Sequence, residues 1–164
     1  MRRLYVNGDS LAVGTMWFLP QFLPGVKITE EAKVGKHAAT GLEEIMAHRF
    51  VEDAIYVSLG TNDYPSAMGT AAFEVVVAKV VRKANGKPVV WSNIHRPKVD
   101  GLGYGAFNRV LNRFQRDHEN FYVHRWDATA RNHPQWFGPD GIHPGTEGYK
   151  ARAGQVARVL LRWG

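Results

Sequence analysis

Residues 54–63 read Ala54-Ile55-Tyr56-Val57-Ser58-Leu59-Gly60-Thr61-Asn62-Asp63. Six residues that are nearly all apolar run straight into a cluster of turn formers. A strand wet on one face alternates apolar and polar side chains, whereas a strand covered on both faces need not. The stretch 54–59 is therefore read as a strand inside a sheet that carries helices on both sides.

The same alternation continues outward in both directions. Leu4–Val6 is a short strand ending at Asn7-Gly8. Residues 11–22 are apolar and begin with a helix, which Pro20 and Pro24 interrupt. Val26–Ala32 makes a second strand. Thr40–Phe50 is a helix with Leu42, Ile45, Met46 and Phe50 on one stripe. Thr70–Ala84 is a helix closed by Asn85-Gly86, and Val89–Ile94 is the next strand. Tyr104–Asp117 is helical, with Phe107, Val110, Leu111 and Phe114 on its apolar side. Phe121–Trp126 is the last strand, and Gly145–Leu161 the closing helix. Five strands separated by helices are the signature of an α/β fold with a parallel sheet. No linker, repeat or low-complexity stretch divides the chain, so one domain over residues 1–164 is expected. Two segments lack periodicity, Arg96–Gly103 and Ala128–Pro144. Each follows a strand and belongs at the carboxyl edge of the sheet, where open α/β folds bind ligands.

Composition narrows the function classes. The chain has 164 residues, 45% hydrophobic and 22% charged, enough to bury a core without staples. Cysteine is absent, which removes disulfides, thiolate metal sites and cysteine nucleophiles. No apolar run approaches the ~20 residues of a membrane span. The apolar part of the N-terminus, Leu4–Val6, is far short of the about 7–15 residues of a secretory core. The expectation is a chain that stays in the cytoplasm unless another route releases it or carries it to a virion. Net charge is +6 and the excess is lopsided. Residues 1–82 hold 8 Lys/Arg against 9 Asp/Glu, and residues 83–164 hold 13 against 6. Such asymmetry fits an anionic polymer or surface as partner. It equally fits Arg109, Arg113, Arg116, Arg152, Arg158 and Arg162 as solvated helix faces. No run of like charge exceeds two and no nucleic-acid motif is present, so solvated faces are the expectation and nucleic acid is not a proposed partner.

Four short stretches could carry chemistry. Ser10 ends Val6-Asn7-Gly8-Asp9-Ser10, after the first strand and just before a helix, where the helix field favours developing negative charge. The plainer reading makes Ser10 an N-cap. Near the other end stands Phe137-Gly138-Pro139-Asp140-Gly141-Ile142-His143-Pro144. An Asp and a His three apart on a loop can meet, the carboxylate accepting Nδ1–H and leaving Nε2 as a base. An Asx-turn at Asp140 is the plainer alternative. Gly60-Thr61-Asn62-Asp63 sets an amide at the same edge, able to donate to an oxyanion. Val34-Gly35-Lys36 follows the second strand, and its glycine lets a backbone N–H approach a ligand. Each alone is bland. Together they put a nucleophile, two donors and an Asp-x-x-His after different strands on one edge.

In order and wording these four blocks resemble the SGNH branch of the GDSL hydrolases, from Gly8 to the closing helix. Gly8-Asp9-Ser10 is similar to the nucleophile block. Gly35, with Gly41 a nearby competitor, and Asn62 match the oxyanion blocks, and Asp140-Gly141-Ile142-His143-Pro144 matches the last. The resemblance implies a flavodoxin-like three-layer αβα sandwich of strand order 2-1-3-4-5. It also implies a Ser10-His143-Asp140 triad, an oxyanion hole of the Ser10 and Gly35 N–H groups with the Asn62 amide, and an acyl-enzyme. No metal or cofactor is implied. Gly-x-Ser-x-Gly, the elbow of the larger α/β-hydrolases, is absent. Gly101-Leu102-Gly103-Tyr104-Gly105-Ala106 matches a loose dinucleotide pattern but comes too late after its strand, and reads as a mobile loop. Short chains ending like this one, with Tyr149 after the last block, resemble carbohydrate or peptidoglycan O-acetyl esterases. The expected substrate is a short-chain acyl ester on a carbohydrate or anionic polymer. Trp17, Trp136 and Phe137 are the candidates for lining its pocket. The alternatives are a lipase or thioesterase, an O-acyltransferase, or a non-catalytic cell-wall or virion-associated binding module. Oligomeric state is left open.

Overall fold

The computed structural model describes residues 1–163. Strand β1 (Arg3–Gly8) lies between β2 (Lys27–Ala32) and β3 (Ala54–Ser58). From β3 the sheet continues to β4 (Val89–Ser92) and β5 (Phe121–His124), all pairs parallel, in the order 2-1-3-4-5. The chain first steps outward to β2 and then crosses back past β1 to β3. That reversal opens a crevice at the carboxyl ends of β1 and β3, in register at Gly8 and Ser58.

The helices are α1 (Ser10–Met16), α2 (Leu19–Phe22), α3 (Ala38–Ala47), α4 (Pro65–Met68), α5 (Thr70–Ala84), α6 (Gly105–Asp117), α7 (Trp126–Asn132) and α8 (Thr146–Leu160). Strand alternation assigns them to layers. Leu4, Val6, Tyr56 and Val90 point to one face and pack with Ala12 of α1, Leu19 of α2, and Ala153, Val156 and Leu160 of α8. Tyr5, Ile55, Val57 and Trp91 point to the other, against Ile45 of α3, Phe73 and Val77 of α5, and Phe107 and Leu111 of α6. Every residue of β3 is buried, as its unbroken apolar run requires. The outer strand β2, Lys-Ile-Thr-Glu-Glu-Ala, is only partly buried, and its charges protect the open edge from pairing.

Several boundaries differ from the reading above. Helix α3 stops at Ala47, with His48 extended, and Met46 is 46% exposed. Phe50 lies past the helix, edge-on to Tyr5 at 5.2 Å and to His48 at 4.9 Å. Pro20 does not break a helix but opens α2, in the first turn where its missing N–H costs nothing; the break falls at Trp17-Phe18. Strands β4 and β5 end two residues early, and Trp126, expected as the last residue of β5, instead starts α7, which runs on into the segment from Ala128 expected to be irregular. The glycine-rich stretch contains a tight turn. Val99 and Leu102 exchange two 2.9 Å backbone bonds across Asp100-Gly101, both at positive φ. Arg152, expected on a solvated face, is 1% exposed. Among the described residues no helix is long and apolar enough to cross a membrane.

Candidate active site

The turn from β1 into α1 is tight because Gly8 has no side chain. A Cβ there would stand 2.5 Å from Ala12 Cβ and 2.8 Å from Ser58 O, so α1 could not settle onto β3. Asp9 N donates to Ser58 O at 2.9 Å, and the Asp9 carboxylate caps α1 by accepting from Leu11 N at 2.9 Å. Capping thus falls to Asp9, and Ser10, the first residue of the helix, keeps its hydroxyl for another partner.

That partner is His143. Ser10 Oγ lies 2.7 Å from His143 Nε2, and His143 Nδ1 lies 2.7 Å from Asp140 Oδ2. Asp140 also makes the Asx-turn: its Oδ1 accepts from Ile142 N at 3.0 Å and His143 N at 3.2 Å. Both contacts expected of this block are present, one for each oxygen. The Ile142 N–H and the His143 ring hold the Asp140 carboxyl below its ordinary range. An ionised carboxylate at Nδ1 fixes the proton there and turns the lone pair of Nε2 toward the serine. The loop is pinned by Gly145 N donating to Trp136 O at 2.7 Å and by bridging of Phe137 with Pro144. Asp140 and His143 remain 46% and 45% exposed, so the row opens to solvent.

The two candidate donor loops are tied together. Asn62 Nδ2 donates to Lys36 O at 3.1 Å, next to Gly35. Asp63 accepts from Ala38 N at 2.9 Å, so the residue after Asn62 fastens the start of α3. Lys36 is buried, with its ammonium paired to Glu44 and donating to Glu31 O at 2.5 Å. Gly35 is exposed at φ +76° and makes no hydrogen bond among the described residues. Gly41 is a different kind of glycine. Its N–H is spent on His37 O at 3.0 Å, and a Cβ would strike Leu59 at 2.4 Å and Asn7 Oδ1 at 2.8 Å. Of the two, Gly35 alone has an N–H to offer a ligand.

Beneath the serine lies a group that reading the sequence missed. Arg152 reaches from α8 to Thr15 Oγ1 at 3.1 Å and Ser58 Oγ at 3.0 Å, with its guanidinium 4.9 Å from the Trp126 ring. Burial pushes the Asp9 carboxyl up to about 6, against the opposing pull of Arg152. Nothing local in α8 marks this arginine, because its partners stand 94 and 137 positions away.

The three aromatic candidates are placed differently. Trp17 is 67% exposed, edge-on to Tyr149 at 5.8 Å. Trp136 is half-buried, stacked on His133 at 4.0 Å, and lines a cavity of about 460 Å³ with Phe22 and α8. Phe137 packs between His95 and Trp126 at 5.1 and 6.1 Å. The last two brace the loop of Asp140 and His143.

A 2-1-3-4-5 parallel sandwich with serine, imidazole and carboxylate in one hydrogen-bonded row at its carboxyl edge defines a serine ester hydrolase. The pattern of the GDSL-like lipase/acylhydrolase family matches residues 8–151, and the chain belongs to that family. It is 23% identical over 156 residues to a Bacillus subtilis (strain 168) protein named "Putative peptidoglycan O-acetyltransferase YrhL", covering 93% of this chain but only 23% of that protein. In fold it is similar to the lipase/acylhydrolase from Enterococcus faecalis (TM-score 0.84, 15% identity, 98% of this chain and 95% of the other). It is also similar to the C-terminal catalytic domain of Streptococcus pneumoniae peptidoglycan O-acetyltransferase A (TM-score 0.71, 18% identity, 98% and 90%).

Proposed function

We propose that this chain removes short acyl groups, acetyl above all, from a carbohydrate such as peptidoglycan. The observation that carries the reading is the row Asp140–His143–Ser10, joined by two 2.7 Å contacts and open to solvent. Ser10 Oγ attacks the ester carbonyl while His143 Nε2 takes its proton and then hands it to the departing sugar hydroxyl. Water, deprotonated by the same nitrogen, releases the acyl group from Ser10. The oxyanion is met by the Ser10 and Gly35 N–H groups and the Asn62 amide. Acetyl is favoured because a long acyl chain would gain little burial at so exposed a row. The relatives named for peptidoglycan O-acetyl transfer support a glycan as the alcohol, and exposed Trp17 offers a ring face on which a sugar can stack.

The same open row supports a second reading, acyl transfer, in which a sugar hydroxyl replaces water in the second half-reaction. Hydrolysis of p-nitrophenyl esters of increasing chain length, with Ser10→Ala and His143→Ala as controls, tests the first reading. Turnover should peak at acetyl and nearly vanish in both variants while their circular dichroism stays unchanged. Wild-type turnover in Ser10→Ala would end it. Adding a sugar acceptor measures the partition toward transfer.

A further inference from the structure

A cavity of about 400 Å³ opens at the carboxyl edge beside β4, and it holds no part of the Ser10 row. Arg96, Arg109 and Arg131 line it, together with Asn108 and Asp127. Its walls, the segment after β4 with α6 and α7, touch the loop of Asn62 and the loop of Asp140 and His143. Arg96 donates to Thr61 O at 2.5 Å, one residue before Asn62, and its guanidinium lies 5.2 Å from the Tyr64 ring. His95, also in the wall, packs its ring on Phe137, in the loop that carries Asp140 and His143. Burial, with a lesser push from Arg131 against the opposing pull of Asp127, keeps His95 below its ordinary range.

We propose that this cavity binds the carboxylate of an acidic sugar unit within the acylated glycan, next to the unit whose ester is cleaved. The inference rests on the reading of Ser10 as the nucleophile of a glycan esterase. Arginine suits the role because its planar fork matches a carboxylate and cannot be discharged. Asp127 selects among anions. It is the one carboxylate among the described lining residues, 3.2 Å from Arg131, and its neighbour Asn93 donates to it at 2.5 Å. Asp127 Oδ1 is taken by Asn93 and by Ala128 N at 2.7 Å, while Oδ2 pairs with Arg131 and can also accept from a hydroxyl, which a sugar acid brings beside its negative charge. A bare polyphosphate chain brings charge without that donor. The basic surface continues past Arg109, which also borders a second cavity with Arg116 and with Arg113, itself paired to Glu74 at 2.6 Å, on α6. A polymer with repeated acidic units can therefore run along α6 away from Ser10. This gives the basic half of the chain a purpose beyond solvated helix faces.

The test compares O-acetylated oligogalacturonate with the same oligomer after methyl esterification of its carboxyls. Wild type should favour the free acid at least about tenfold in kcat/KM, the worth of one charge-assisted pair. That preference should shrink as salt rises and should disappear in Arg109→Gln/Arg131→Gln. Lys79→Gln, a charge loss on α5, should leave it intact. Equal rates on acid and ester, or a preference that survives in the double variant, would overturn the inference. Binding of unacetylated polygalacturonate to Ser10→Ala gives an arm independent of turnover. It should be at least about tenfold tighter than in the triple variant lacking both arginines, and tighter than binding of inorganic polyphosphate. The reverse order of the two polymers would overturn the assignment to a sugar acid. Failure of wild type on p-nitrophenyl acetate would count against the esterase reading, and this binding arm would still decide the cavity.

Discussion

Asp140 divides its two oxygens between a turn and a ring, and the division can be tested one atom at a time. Asp140→Asn keeps an oxygen for the Ile142 and His143 N–H groups, so the loop should stay folded. The amide nitrogen cannot accept Nδ1–H, and the imidazole is driven to carry its proton on Nε2, facing Ser10. We expect kcat on p-nitrophenyl acetate to fall roughly 10²–10⁴-fold with an unchanged melting temperature. Water reaches this half-exposed carboxylate, which favours the lower end. Asn62 makes a complementary case. Charge on the carbonyl oxygen develops only toward the tetrahedral state, so Asn62→Ala should lower kcat by about 10²–10³ and leave KM nearly fixed. A rise in KM alone would make Asn62 a substrate-binding residue.

Asn62 is useful only while its loop and the Gly35 loop keep one geometry, and that is set between elements. Asp63, buried after β3, accepts from Ala38 N at the start of α3, with His37 Nδ1 3.3 Å from its other oxygen. Asp63→Ala should cost about 0.5–2 kcal/mol in urea unfolding and lower kcat as well, because the two donor loops lose their tie. Asp63→Asn keeps an acceptor for Ala38 N and should restore most of both. Full kcat in Asp63→Ala would show that Lys36 and Glu44 hold the loops alone. How far the elements were legible in advance follows the same logic. Helix α5, Thr70–Ala84, matches its reading residue for residue, because four turns of periodicity end in Asn85, left-handed at φ +49°, and Gly86. Helix α7 went unread because seven residues with only Trp126 and Ala130 buried carry too little pattern. The motif blocks were legible because turn chemistry is local. Arg152 was not, since an arginine on a helix reads as solvated until its distant partners are seen.

Arg152 also links the site to the pH dependence of the whole molecule, because two buried groups with opposite tendencies lie near it. Asp9 is raised from 3.8 to about 6, chiefly by burial. Its protonated form favours the fold, so its contribution is present below 3.8 and is lost as pH rises through about 6. His124, between Ser92 Oγ at 2.8 Å and Gln155 Oε1 at 3.0 Å, is lowered from 6.5 to about 3 by burial and then by Arg152. Its contribution is present above 6.5 and is lost as pH falls toward about 3. Between about pH 5 and 6 the unfolded chain holds a proton on His124 that the native one lacks, and the native chain holds one on Asp9 that the unfolded one lacks. The two slopes largely cancel. Removing either group should expose the other, by up to about 1.4 kcal/mol per pH unit for a whole proton. Asp9→Asn, which keeps the cap on α1, should lose stability on acidification relative to wild type. His124→Gln should gain it. The shifted Glu30, Glu52, Asp53, Asp140 and His95 are common to all three proteins and drop out of the differences. Urea unfolding at half-unit steps from about pH 5 to 6 reads both slopes. Parallel curves for the three proteins would mean that neither group titrates in this window, and that Asp9 stays ionised beneath Ser10, balanced by Arg152.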